Sequence, residues 1–356
     1  MDSATTPFDA LPGKPCAIDC RDVTFPYELH PSFSSPLADI VLCASDGVTY
    51  RMSSYTLRLA SGFFRDLFSL PQPITLPEKV YLGSPPGSGK GIEELFTTCE
   101  SSDVLTPFLM LIGGIPIHTP LHEWGVVFSY KTSYFTDEST DPRSCFDIIE
   151  RVLRLAECWD APGPLSYIRL GLHNPELVKR DPLRLYAIAS HFGWECERNW
   201  AAQHTLMLDL SQASPAAQET LECMSSKDLL SLLKLHYRRR EEFRELLDEP
   251  GRFSVGNSDE TLCPRCNETP LDNSTWIALK AAMVMEMERR PLGDSIVGFE
   301  VDGIGGENFA GVLTWPEADA CFKATCTKEG CGGLNYDICA TLKQIAWCVD
   351  SLSLDL

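Results

Sequence analysis

Apolar positions follow two different periods along this chain, and the switches between them outline its elements. Leu37-Ala38-Asp39-Ile40-Val41-Leu42-Cys43 is a short β-rich run, Asp46-Gly47 is a hairpin turn, and Val48-Thr49-Tyr50-Arg51-Met52 reads as the returning strand. Ser54 to Ala60 then has helical character. Ser61 can cap a second short helix, Gly62 to Leu70, which carries Phe63, Phe64, Leu67 and Phe68 and which Pro71 and Pro73 stop. Ile74-Thr75-Leu76 is a candidate third strand, and 83 to 91 reads as a flexible insert. From Ser102 a helix carries Val104, Leu105, Phe108, Leu109 and Ile112 until Gly113-Gly114 ends it. Another begins near Ser144, with Asp147 placed for a capping box and Phe146, Ile149, Val152, Leu153 and Ala156 on one face; Ala161-Pro162-Gly163-Pro164 closes it.

Beyond this point the pattern is helical. Asp181-Pro182 is a cap followed by proline at the first helical position, which opens a helix to His191; Gly193 separates it from a second helix through Leu210. Trp159, Trp194, Trp200 and Tyr186 fall in these segments, where core packing is the default reading. A longer amphipathic helix spans about 227 to 248, with Leu229, Leu232, Leu233, His236, Phe243 and Leu247 compatible with one face. After Pro250-Gly251 cysteines concentrate, glycines rise, and only 275 to 289 and 342 to 352 look helical. The expected fold class is therefore α+β, in four regions: a loose proline-rich arm over 1–32, a mixed domain over 33–172, a helical extension over 173–250, and a cysteine-containing region over 251–356.

Charge narrows the partners. With 30 basic and 50 acidic residues the net charge is −20, which repels nucleic-acid phosphates and gives no attraction to anionic lipid. Arg238, Arg239 and Arg240 run straight into Glu241 and Glu242, the composition of a solvated, salt-bridged helix face. The stretch Val104 to Ile117 is too short, and too interrupted by proline and glycine, to span a bilayer. Met1 to Pro15 has neither a basic start nor an apolar core of a secretory signal, and the 15 cysteines are scattered rather than framed, so reduced thiols in the cytoplasm or nucleus are expected.

One constellation carries chemistry. Cys263-Pro264-Arg265-Cys266 is a turn that lets two thiolates converge on one ion, and Cys326 with Cys331 can supply two more, giving the closed four-sulfur cage of a structural zinc site. Cys321 competes as the fourth ligand. Such an ion contributes roughly 10 kcal/mol to folding, which suits a glycine-rich region with little core of its own. Other motif-like phrases fail on spacing. The stretch 83–91 lacks the P-loop glycine pattern, Pro120 separates His118 from His122, and the His122-Glu123 phrase has Val126 where a second metal-binding histidine belongs.

The order strand, Asp-Gly turn, strand, two short helices, strand, helix, glycine turn, helix resembles a BTB/POZ domain. Asp39-Ile40-Val41-Leu42, Asp46-Gly47 with Tyr50, Leu57 with Ala60, Ser61 and Phe64, and Val152-Leu153-Arg154-Leu155-Ala156-Glu157 carry the match. The whole chain is similar to a group of fungal BTB-like proteins through 156–164, 239–243 and 332–336. It departs from the family at Ser53, where a histidine is usual, leaving Asp39 to pair with Ser53 or a backbone donor, and at insertions near 83–100 and 121–143. The resemblance implies a protein-interaction adaptor or scaffold rather than an enzyme, with a second copy or a ubiquitin-ligase component as partner; the charge and the short apolar stretches add that neither nucleic acid nor membrane is expected. The alternatives are a transcription or chromatin-associated regulator, or a thiol or zinc enzyme using Cys263 and Cys266.

Overall fold

The computed structural model describes residues 28–70, 94–128, 144–258, 260–298 and 311–356. It is mixed α+β, mostly helical, with one small sheet. The chain divides into two compact units, and the boundary between Leu177 and Val178 falls within a short helix, α7 (Pro175–Arg180).

The first unit is built on a four-stranded sheet in the order β1-β3-β2-β4, formed by β1 (Glu28–Leu29), β2 (Ile40–Cys43), β3 (Val48–Met52) and β4 (Glu94–Thr97). The hairpin β2-β3 is antiparallel and registers Leu42 on Tyr50, while β4 runs parallel to β2. Gly47 turns the hairpin at φ 88°, a conformation that costs a residue with a Cβ. Every residue of β2 is buried, as expected of a central strand covered on both faces.

Helices α1 (Ser54–Ala60) and α2 (Gly62–Leu67) follow the hairpin, and Ser61 caps α2 by accepting the Phe64 N–H at 3.3 Å. Helix α3 (Ser102–Gly113) is buried along most of its length; Asp46 holds its start by accepting from the Ser102 N–H at 3.0 Å, and the Tyr50 hydroxyl meets Thr106 Oγ1 at 2.8 Å. After α4 (Trp124–Phe128), α5 (Cys145–Cys158) opens with the expected capping box of Ser144 and Asp147, and Trp159 packs edge-on against Phe64 and Phe108. Asp39 binds both the Ser54 N–H at 2.7 Å and the Ser54 hydroxyl at 2.5 Å, so its partner is Ser54 and not Ser53. Burial raises the Asp39 carboxyl, but these bonds together with Arg58 outweigh it and hold the group below its ordinary range.

Several expectations shift. Residues 28 and 29, placed in the loose arm, pair with Val48 and Thr49. The third strand of the pattern is Glu94–Thr97, inside the segment read as an insertion, because a four-residue strand lacks a readable period; 74–76 lies outside the described residues, as do the rest of the arm and the glycine-rich stretch 83–91. Pro162 stands at the first turn of a new helix, α6 (Pro162–Gly171), instead of closing the previous one.

The second unit continues with α8 (Pro182–His191), α9 (Glu195–Thr205), α10 (Pro215–Cys223), α11 (Ser226–Asp248), α12 (Ser254–Asn257), α13 (Ser274–Arg289), α14 (Asp294–Val297), α15 (Pro316–Lys323) and α16 (Ile338–Asp350). Asp181 caps α8 through the Arg184 N–H at 3.0 Å, and the Tyr186 hydroxyl donates to the Asp228 carbonyl at 2.8 Å. Phe243 and Leu247 of α11 share one core with Trp276, Met283, Phe322 and Ile345. The boundary expected near 250 to 260 therefore falls inside this unit, because α11 supplies part of the wall against which the following helices pack.

The arginine run on α11 departs from its reading as a uniformly solvated face. Arg238 and Arg240 do pair with Glu242 and Glu241, but Arg239 between them is buried. Its Nε donates to the Pro291 carbonyl at 2.8 Å, Nη2 to Leu292 at 3.2 Å, and Nη1 to Leu352 and Ser353 at 2.9 and 2.8 Å. Burial lowers this guanidinium to about 10, against the pull of Glu242, so it stays charged at neutral pH. One side chain thereby ties α11 to two distant backbone segments. No helix among the described residues is long and apolar enough to cross a membrane.

Candidate metal centre

Two small hairpins project from the helical core of the second unit, and each carries two cysteines. The first closes by an antiparallel bridge between Leu262 and Pro270, with the Cys263 N–H on the Thr269 carbonyl at 2.9 Å and the Asn267 N–H on the Cys263 carbonyl at 2.8 Å. Asn267 takes the left-handed conformation, φ 52°, which asparagine tolerates better than most side chains. The second closes between Thr325 and Leu334, with the Cys326 N–H on the Gly333 carbonyl at 2.8 Å and the Cys331 N–H on the Lys328 carbonyl at 3.1 Å.

The hairpins face one another, and Cys263, Cys266, Cys326 and Cys331 bring their four sulfurs within 4.8 Å of each other. Two contacts run between the hairpins, 3.7 Å from Cys263 to Cys331 and 3.8 Å from Cys266 to Cys326. Four sulfurs at about 2.3 Å from a central zinc form a tetrahedron with edges of about 3.8 Å, so the set fits that ion. A Cβ added to Gly333 would lie 2.7 Å from Arg265 Cβ and 3.3 Å from Cys263 Sγ, which makes glycine there a condition for the close approach.

Backbone donors complete the cage. The Cys266 and Arg265 N–H groups point to the Cys263 sulfur, those of Glu268 and Thr269 to Cys266, that of Gly333 to Cys331, and that of Lys328 to Cys326 at 3.5 Å. Such donors favour thiolate over thiol and hold Cys263 and Cys266 below the usual thiol range. At Cys331 the Gly333 N–H is outweighed by burial and by the three neighbouring sulfurs, which raise it. Sulfurs this close resist ionising together, and a divalent cation at their centre removes that conflict.

Cys263, Leu271, Cys326 and Cys331 form a small buried cluster of their own, with Cys266 only half-buried at its edge. An ion pair between Lys328 and Glu268 joins the hairpins on the outside. On the inner side the Tyr336 hydroxyl donates to Asn273 Oδ1 at 3.1 Å, and Asn273 Nδ2 donates to the Ser258 carbonyl at 2.9 Å.

All four cysteines singled out by spacing come together. Cys321, the competing ligand, does not join them: it lies on α15, in the apolar core with Trp276 and Ile345, where burial raises its thiol to about 11. Sequence reasoning missed the supporting residues Thr269, Lys328 and Gly333; the glycines at 330, 332 and 333 around Cys331 were the available signal. His122, in the first unit, has its Nδ1 2.9 Å from Asn174 Nδ2. Comparison with protein-family models, with curated proteins and with solved structures returned no match.

Proposed function

We propose that this chain is a protein-interaction adaptor or scaffold: a BTB/POZ-like domain over 33–172 presents the docking surface, and zinc bound by Cys263, Cys266, Cys326 and Cys331 holds the C-terminal hairpins as a structural element. The element order supports the first half. A hairpin, two short helices, a strand parallel to the first, and a glycine-ended helix follow one another as the resemblance implies. The closed four-sulfur set supports the second, since a cage of four thiolates leaves no coordination position for water or substrate.

The single observation that carries the interaction reading is an apolar face turned to solvent. Tyr55 and Leu59 stand one turn apart on α1 and are 73% and 74% exposed. Neither contributes to the core, so an aromatic and a leucine at these positions stabilise contact with another surface and not the fold. A second copy of the chain is the first partner to test. Sedimentation of the full chain should reveal self-association that the double change Tyr55→Glu with Leu59→Glu weakens by about tenfold or more, with the thermal midpoint unchanged. Equal association in the double variant, or none in the native chain, would overturn this surface as the interface.

A further inference from the structure

We propose that the cysteine cluster is a reversible, peroxide-responsive clasp: on oxidation it releases zinc and relinks as Cys263–Cys331 and Cys266–Cys326, so that the two hairpins stay joined. The inference rests on the zinc reading and adds to it a regulation of the same site. Its geometric basis is the pairing of the sulfurs. Two sulfur–sulfur contacts, Cys263 to Cys331 at 3.7 Å and Cys266 to Cys326 at 3.8 Å, cross from one hairpin to the other and between them use each cysteine once. A disulfide needs about 2.05 Å, so each pair has to close by less than about 2 Å once the central ion leaves.

Accessibility sets the order. Cys263, Cys326 and Cys331 are buried and Cys266 is half-buried, which makes Cys266 the sulfur that a small oxidant reaches first. Its thiolate attacks one peroxide oxygen, the O–O bond breaks, hydroxide leaves, and a sulfenic acid forms. The Cys326 thiolate then attacks that sulfur, the S–S bond forms, and a second hydroxide departs. Cys263 and Cys331 repeat the sequence with a second peroxide. Four thiolate sulfurs are oxidised to two disulfides, two peroxides are reduced, and four protons are taken up to give four waters and one free zinc ion.

The choice of pairs has a structural consequence. Apolar burial at the hairpins is confined to a cluster made almost entirely of the cysteines. Links within each hairpin would leave nothing at the centre to hold the two together, whereas links between them replace the metal as the tie.

The sequence makes the pairing directly readable. Trypsin cleavage after Arg252, Arg265, Lys280, Lys323, Lys328 and Lys343 places the four cysteines on four different peptides, 253–265, 266–280, 324–328 and 329–343. The last also holds Cys339, which is exposed and outside the cluster, so the full chain is used as Cys339→Ser. Zinc content is measured first, then hydrogen peroxide is titrated while released zinc and linked peptides are followed. The expected result is release of the zinc, with 253–265 joined to 329–343 and 266–280 joined to 324–328, reversed by dithiothreitol with added zinc. Zinc retained through excess peroxide, or links joining 253–265 to 266–280, would overturn the clasp while leaving the metal reading intact. A chain with no zinc before peroxide would overturn both.

Discussion

The second unit contains two cores that work by different physics. The helical one gathers Phe243, Trp276, Met283, Phe322, Ile345 and others from α11, α13, α15 and α16, and its stability is a sum over many contacts. The hairpin one buries little besides four sulfurs and Leu271. A core of the first kind loses stability by degrees when one side chain is cut back. On the proposed zinc reading, a core of the second kind would depend on one ion, and the loss of any ligand would remove the whole tie. The contrast explains why cysteines are concentrated where apolar periodicity is poor.

The contrast sharpens at Arg239, a residue in the helical part that imitates a chelate. It satisfies four carbonyls from two separate segments at 2.8 to 3.2 Å, so its removal should act less like a trimmed contact and more like a withdrawn ligand. Arg239→Ala is expected to destabilise the second unit by about 4 kcal/mol, because the buried carbonyls lose charge-assisted donors together. Arg239→Lys should recover part of that, since a point charge reaches fewer of them. Urea denaturation followed by tryptophan fluorescence measures both, and an unchanged midpoint for the alanine variant would contradict the tie.

A smaller effect distinguishes the cores by acid. His236 is buried on α11, with burial first and Arg239 second lowering its pKa to about 4. The Thr205 hydroxyl donates to the Ala202 carbonyl at 2.6 Å, so it accepts from His236 Nε2 at 3.1 Å and fixes the neutral tautomer with hydrogen on Nε2. The unfolded chain protonates this histidine near 6.5 while the folded chain does not, so stability is full above 6.5 and falls as the pH drops toward 4. Between pH 7 and pH 5 the native chain should lose about 2 kcal/mol more than His236→Gln. Parallel denaturation curves at the two pH values would decide it, and equal losses would refute the assignment.

What could be read from the sequence follows the same division. The capping box at Ser144 and Asp147, the Asp46-Gly47 hairpin and the α8 start at Asp181-Pro182 were legible because each rests on a local rule. The clustering of the four cysteines was legible because two close pairs in sequence leave a recognisable spacing. Strand β4 was not, since its place is set by pairing with β2, a partner about fifty residues earlier. The burial of Arg239 was hidden for a related reason: its acceptors are backbone carbonyls, which any residue supplies. Leu233 was assigned to the buried face of α11 and is exposed, because the helix turns Leu235 and Arg239 inward in a register that a mixed pattern does not specify.

The most direct test of the metal centre is elemental analysis of the full chain purified without chelators, alongside Cys263→Ser, Cys266→Ser and Cys321→Ser. The structure predicts one zinc per chain in the native protein and in Cys321→Ser, and none in the other two. A native chain free of metal, or zinc that survives Cys263→Ser and is lost in Cys321→Ser, would contradict it.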